Sequence, residues 1–357
     1  MRNCSVNTLF SCVVGLGHRF TSNQWEACLG GTIFNVLDKV STHMGNSHPS
    51  EGEEQSSSTT PSRYRVSVHH SRDSNSKQWL ATHVLTLRGI ERVLRQFFMK
   101  LLLTGIENDS LWFENAWDQI IKIAFSSANA SGGRGALELR VVGVDILILC
   151  CQVSCEAGVT AASTPVRVGT NMQVVNGALR SVQSKAVTTT QQNGLESENL
   201  STADLRTIKD FRIKLFLKAF DALEKFVDVF HLQNEEEEKD SYFTESSLLQ
   251  VLTKLSQGLT KLFECCKNKE LAPYPIDRYT VCSKIEYHDL EGRLVNIINT
   301  VSIHAVGDVN SRYLTQAQRT CLDLMREMCT FGSARAFERL AVMGGKSFFW
   351  CVKFFFQ

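Results

Sequence analysis

The chain has 357 residues, 43% hydrophobic and 21% charged, the balance of an ordinary globular protein. Its 38 Lys and Arg stand against 37 Asp and Glu, a formal net charge of +1 at pH 7. Such a balance sets up no strong field, which removes the usual electrostatic case for nucleic acid or anionic lipid as a partner.

The first predicted element places Val6, Leu9, Phe10, Val13 and Leu16 at three-to-four-residue spacing, the pattern of an amphipathic helix. Gly15 and Gly17 loosen its end, and Thr21, Ser22 and Asn23 supply capping oxygens for the next start. Asn23 with Glu26 three residues on has the form of a capping box. Trp25, Cys28, Leu29, Ile33, Val36, Leu37 and Val40 then mark a second helix that stops near Gly45. Two helices in about 40 residues is the size of one HEAT or armadillo unit, which buries its apolar stripes only against neighbouring units. Met1 directly precedes the first helix, so the chain reads as an internal piece with neighbours missing at both ends.

From about residue 45 to 63 the sequence is Ser/Thr/Glu/Gly-rich and aperiodic, the mark of a flexible loop. A third helix is predicted from about Asp73 to Leu103, with Trp79, His83, Leu87, Ile90, Leu94, Phe97 and Leu101 on one side. Trp112, Ala116, Trp117, Ile120, Ile121, Ala124 and Phe125 give a fourth. After a break at Gly132-Gly133, a stripe of Leu137, Val141, Val144, Leu147, Ile148 and Cys151 defines a fifth. Residues 156–200 lose the pattern and have little to bury against their ordering entropy; they read as a disordered linker, with a stray strand as the alternative.

Ser201 and Asp204 open the next helix, whose stripe runs through Ile208, Phe211, Leu215, Phe216, Phe220, Leu223, Val227 and Phe230. Glu235–Glu238 follow as a solvated acidic loop. Thr244 is the expected cap of a helix carrying Leu248, Leu252, Leu255, Leu259, Leu262 and Phe263. Beyond Pro273 and Pro275, helices are readable at Leu294–Val301 and Ala317–Met328, with a shorter one near Phe337 and Leu340. All five prolines, Pro49, Pro61, Pro165, Pro273 and Pro275, fall in polar or irregular stretches, where they break no helix.

The reading is an all-α chain of HEAT/armadillo-like helical repeats, an α-solenoid with a disordered central linker. Residues 1–155 form one repeat block and 201–345 a second, followed by an atypical aromatic tail at 346–357. The tail, Phe348 to Phe356, is about half the ~18–20 apolar residues that span a bilayer. It reads as a truncated helix or gene-model end, with a membrane-dipping segment as the alternative. Twelve cysteines include no C-x-x-C pair, and most fall on apolar helix faces, as small reduced core residues do.

The search for chemistry is negative. His69, His70, Ser71, Arg72 and Asp73 contain every residue type of a serine triad, but a triad needs side chains brought from separate supports. Asp73 or Ser74 is better explained as a helix N-cap. Adjacent His69 and His70 point in different directions, and no nearby Cys or third His completes a metal site. His43, His83 and His304 fall on or beside helical stripes and read as partly buried hydrogen-bonding residues. Gly15-Leu16-Gly17 and Gly132-Gly133-Arg134-Gly135 lack the context of a phosphate loop. Trp25, Trp79, Trp112 and Trp117 are read as core. No catalytic, cofactor-binding or metal-binding residue is assigned.

Two blocks carry a resemblance. The first is Arg2-Asn3-Cys4-Ser5-Val6-Asn7-Thr8-Leu9-Phe10, with Trp25 and Phe34-Asn35-Val36-Leu37-Asp38 after it. The second is His69-His70-Ser71-Arg72-Asp73, then Lys77-Gln78-Trp79, then Thr82 to Gly89. In this order they resemble the C-terminal half of the Mon-two (monensin-sensitivity) family, large helical-repeat proteins related to the large Arf guanine-nucleotide exchange factors. The resemblance covers about residues 2–155; beyond 205 it is to helical repeats in general.

It implies a peripheral scaffold on Golgi, trans-Golgi network and endosome membranes, acting in endosome-to-Golgi retrieval. Its implied partners are a Dopey-like protein, Arf-like GTPases and a phospholipid flippase complex. His69, His70, Ser71, Arg72, Asp73, Lys77, Gln78 and Trp79 become a family signature with a structural or partner-binding role. The exchange factors' catalytic domain has no match, so exchange activity is not implied. A regulatory region of an Arf exchange factor and a helical-repeat cargo adaptor remain the alternative readings.

Overall fold

The computed structural model describes residues 2–45, 75–107, 111–130, 134–156, 202–237, 242–267, 290–305 and 314–331. Every regular element among the described residues is helical. They are α1 (Arg2–Leu16), a 3-10 turn (Gly17–Arg19), α2 (Ser22–Glu26), a π-helical stretch (Ala27–Phe34) and α3 (Asn35–Gly45). Then come α4 (Asn75–Glu107), α5 (Leu111–Ala128), α6 (Arg134–Glu156), α7 (Thr202–Glu237), α8 (Tyr242–Lys267), α9 (Leu290–His304) and α10 (Gln316–Phe331).

These helices form two layers. One layer stacks α1 on α4, α4 on α6, α6 on α8 and α8 on α10; the other stacks α5 on α7 and α7 on α9. Chain neighbours pair across the layers, α5 with α6, α6 with α7, α8 with α9 and α9 with α10. Each helix thus covers its stripe with the helix before, the helix after and the one opposite, the arrangement of an α-solenoid. The apolar core runs without interruption from Val6 of α1 to Met328 of α10.

Local signals explain the ends between α1 and α3. The start of α2 is set by Thr21, whose N–H donates to Gln24 Oε1 at 2.9 Å in a reciprocal capping box. This replaces the box expected at Asn23 and Glu26, which already lie inside the helix. Within the next stretch Trp25, Leu29 and Ile33 are buried at a spacing of four, and Phe34 is buried beside Ile33. A spacing of four fits the α and the wider π turn about equally, and Gly30-Gly31 offers no side chain to resist the wider one. The Asn35 side chain closes the stretch by donating to the Gly31 carbonyl at 2.6 Å.

Two further expectations are corrected. Helix α7 continues through Glu237, so Glu235–Glu237 extend its last turns rather than forming a loop. Helix α8 begins at Tyr242, which places Thr244 inside the first turn and not at the cap. The segments expected as a loop at 46–63, as a linker at 157–200, as a short helix near Phe337 and as an aromatic tail lie outside the described residues, as does Gly132-Gly133.

Helix α6 occupies the middle of the stack, in contact with α4, α5, α7 and α8. The sequence suggested one stripe, but from Val142 to Cys155 nearly every side chain is buried. A helix surrounded on all sides has no polar face to keep. Gly143 makes this crowding possible: a Cβ there would run into the backbone of Ala128 and Ala124 on α5. Cys150, Cys151, Cys155 and Cys321 are buried and in no disulfide, as expected for most of the cysteines, whereas Cys4 and Cys12 are exposed on α1.

Candidate functional site

The two resembling blocks meet in space. Helices α1 and α4 run parallel, and polar contacts tie them from end to end. At the start, Arg2 Nη2 donates to Gln78 Oε1 at 2.6 Å, and Thr82 Oγ1 donates to Asn3 Oδ1 at 2.8 Å. At the far end Gln96 reaches the Val14 carbonyl at 3.3 Å. Lys100 Nζ donates to the carbonyls of Gly17 and His18 at 3.1 and 2.6 Å. A cation there meets the negative end of the α1 dipole, where the Gly17 carbonyl also accepts from the Phe20 N–H at 3.2 Å.

Between these ties the contact is apolar. Phe10 is fully buried against Gly89, whose missing side chain makes room for the aromatic ring. Trp25 packs on Phe97 with ring centroids 5.1 Å apart and on Phe20 at 5.2 Å. Trp25 and Trp117 are fully buried, whereas Trp79 and Trp112 are partly covered.

Trp79 stands between two basic groups. The Arg2 guanidinium carbon lies 4.0 Å from its ring centroid, and the exposed His43 ring stacks on it at 4.4 Å and 8°. Of the eight signature residues, Lys77, Gln78 and Trp79 lie on the first turn of α4; Lys77 and Gln78 are exposed. His69, His70, Ser71, Arg72 and Asp73 lie outside the described residues.

One turn further on, His83 is buried at the α3–α4 contact, with Nδ1 3.3 Å from Met44 Sδ and Nε2 without a hydrogen-bond partner. Burial disfavours the imidazolium and lowers its pKa to about 4, so the ring is neutral at pH 7. Shielded on both nitrogens, it reaches no solvent-borne proton acceptor and suits packing rather than acid–base chemistry.

Beside the seam a groove of about 310 Å³ is lined by Asn7, Leu85, Arg88, Glu91, Arg92 and Arg95. Glu91 accepts from Arg88 at 2.7 Å and from Arg95 at 3.0 Å, and Arg88 also reaches Asp145 of α6 at 3.0 Å. Burial works against the Glu91 charge, yet these hydrogen bonds hold its pKa below the ordinary value.

A second set of ties crosses the residues between α6 and α7. Trp117 Nε1 donates to the Leu215 carbonyl at 3.0 Å. Glu114 of α5 accepts from Lys214 at 2.7 Å and from Lys218 at 2.6 Å, and Lys218 also pairs with Asp118 at 2.7 Å. On α9, Arg293 pairs with Asp221 at 2.6 Å and Glu224 at 2.5 Å, and lies over the Phe220 ring at 4.9 Å. None of these pairings is visible in the sequence, because partners some 70–100 residues apart leave no periodic trace.

Among the described residues, no three His, Cys, Asp or Glu side chains gather as a metal-binding group, and no helix is long and apolar enough to cross a membrane. Desolvation pushes the Cys321 thiol up to about 12 and raises that of Cys150 further, so neither is a nucleophile at neutral pH. What the geometry offers is a set of rigid helix faces held together by named side chains.

Comparison with known proteins gives these faces a family. A profile described as the C-terminal region of Mon2 protein matches residues 1–225. The chain is 31% identical over 137 residues to Protein MON2 homolog of Drosophila melanogaster, covering 38% of this chain and 7% of that protein. It is 28% identical over 135 residues to the Homo sapiens homolog, covering 36% and 7%. It is 28% identical over 102 residues to Monensin-resistant homolog 2 of Caenorhabditis elegans, covering 29% and 6%. The match thus spans only a small part of each relative's length. No solved structure matches. With both motif blocks of the α1–α4 seam inside the matched region, the chain belongs to the Mon2 family and corresponds to its C-terminal region.

Proposed function

We propose that this chain is a non-catalytic scaffold segment in endosome-to-Golgi transport, working through the exposed faces of its stacked helices. The observation that carries the reading is the family match over residues 1–225, which includes the whole α1–α4 seam. The seam uses the resembling residues to lock two helices in register. It leaves Lys77, Gln78 and the edge of Trp79 at the surface, where a protein partner has access. Scaffolding needs a rigid surface and no reacting group, and a two-layer stack supplies such a surface over its whole length.

The partners proposed on the family resemblance are a Dopey-like protein, Arf-like GTPases and a phospholipid flippase complex. Association with the trans-Golgi network and endosomes would then be peripheral, through those proteins. The test is immunoprecipitation of the tagged chain from cells, with imaging in parallel. Recovery of a Dopey-like protein together with perinuclear Golgi staining is expected. A purely nuclear distribution would overturn the reading. Acceleration of nucleotide release from an Arf-type GTPase by the purified chain would overturn its non-catalytic part.

A further inference from the structure

Where helices cross in the second layer, charges come in opposed sets. Glu114 and Asp118, one turn apart on α5, both receive Lys218 of α7, and Glu114 also takes Lys214. Arg293 of α9 reaches Asp221 and Glu224 of α7. The groove beside the α1–α4 seam departs from this pattern. Arg88, Arg92 and Arg95 line it along one face of α4, with Glu91 as the carboxylate among them. From Asn3 to Gly17 the sequence holds no charged residue, so α1 offers nothing to offset them. Arg92 is exposed, and no carboxylate among the described residues pairs with it. Its helical neighbours four residues before and three residues after are arginines too, and like charges at such spacings destabilise a helix.

The other two guanidiniums are held in place without being used up. Glu91, only 16% exposed, accepts from Arg88 on one side and from Arg95 on the other. Arg88 is anchored a second time by Asp145 of α6. Both contacts of Arg88 use Nη1, and Arg95 uses Nε and Nη2. Since a guanidinium carries five N–H donors, each keeps some that are unused among the described residues. Side chains fixed in advance lose little conformational entropy when an anion arrives. Even with Asp145 counted, three cations here face two carboxylates.

We propose that this groove docks an acidic helix of a protein partner, one that carries Asp or Glu side chains a turn apart. Arg92 takes one carboxylate through its paired donors, and the spare donors of Arg88 or Arg95 take the next. The α5–α7 crossing is the precedent within this chain: an acidic pair at i,i+4 meets a basic pair at i,i+4. Glu91 tells such a helix from a continuous polyanion. An array of phosphates, on nucleic acid or an anionic bilayer, must set one beside the Glu91 carboxylate, whereas discrete acid side chains straddle it. The proposal gives a surface and a partner chemistry to the scaffold reading above and rests on it. Peptide binding by the purified chain can fail while recovery of partners from cells stands, so the two failures are told apart.

The probe is a fluorescein-labelled, alanine-based helical peptide of about 16 residues with Glu at successive i,i+4 positions, beside its analogue with Gln in their place. Fluorescence anisotropy with the 357-residue chain at low salt should show saturable binding of the Glu peptide, at least about tenfold tighter than the Gln peptide and weakened by added salt. Arg92→Glu sets a carboxylate between Arg88 and Arg95 and should lower that affinity at least about tenfold. Arg92→Gln, which adds no opposing charge, should lower it about threefold and leave the melting temperature unchanged or higher. Lys254→Glu makes the same charge change at an exposed position of α8 and should alter the affinity by less than about twofold. Equal binding of the two peptides, or equal losses from Arg92→Glu and Lys254→Glu, overturns the proposal. A clear fall in melting temperature for Arg92→Gln would show that Arg92 is already paired within the fold, and would sink it as well. So would Arg92-dependent binding to phosphatidylserine vesicles that displaces the peptide, which would make the groove a lipid site.

Discussion

The indole N–H of Trp117 donates to the backbone carbonyl of Leu215 at 3.0 Å, a buried contact between residues 98 positions apart. It fastens α5 to α7 where Phe98 and Phe113 also close on the Trp117 ring, at centroid distances of 5.3 and 6.1 Å. Trp117→Phe deletes the donor together with one ring of the buried indole. A loss of about 2–4 kcal/mol in urea denaturation is expected, a buried hydrogen bond plus the cavity left in a fully buried site. An unchanged midpoint would show that water replaces the indole.

Two glycines on opposite sides of the α1 region should respond with opposite signs. Gly89→Val forces a branched side chain into Phe10, and overpacking of this kind costs about 1–3 kcal/mol. Gly15→Ala meets nothing and replaces glycine in an exposed helical position, which should stabilise the chain by about 0.5–1 kcal/mol. Thermal melts of the two variants beside the parent check both.

His83 sets an acid limit. Its pKa lies near 4 in the folded chain against an ordinary value of 6.5, so the unfolded state binds the proton more readily. The resulting cost is absent above pH 6.5, grows as pH falls through the interval, and levels off below about 4. A shift of this size corresponds to a loss on the order of 3 kcal/mol. His83→Leu should flatten the stability profile between pH 6.5 and 4. Parallel profiles for variant and parent would show that His83 is not the titrating group.

Trp79→Ala removes the ring that Arg2 and His43 share. Stacking and cation–π contacts at a partly exposed site amount to about 0.5–1.5 kcal/mol together. The change should appear as faster hydrogen exchange in the first turns of α1 and the end of α3, with α7–α10 unaffected. Exchange that rises uniformly would point to global destabilisation instead.

The helices were legible because burial on one side of a helix imprints a 3.6-residue rhythm, and residues such as Leu87, Ile90, Leu94, Phe97 and Leu101 carry it plainly. The rhythm failed where the environment departed from one-sided burial. Helix α6 is enclosed on every side, so its apparent stripe was only part of its contact surface. The π-helical stretch passed for ordinary helix because Trp25, Leu29 and Ile33 fit either period. Glu235–Glu237 looked like solvent-seeking loop, yet charge is no obstacle to continuing a helix already propagated from Thr202. The motif blocks were visible as text, but their mutual packing was not. Nothing in Arg2 or Gln78 announces the other across 76 positions.

Those pairings fix more than a contact. Arg2 meets Gln78, Asn3 meets Thr82, Val14 meets Gln96 and Gly17 meets Lys100, in matching order along two parallel rods. The rods therefore find their alignment from each other and not from the chain that joins them. Evolution is free to lengthen or shorten the stretch at 46–63 without sliding one motif past its counterpart. In comparing members of the family, then, insertions between the two blocks carry little weight. A compensated change at Phe10 and Gly89 would be the true mark of divergence.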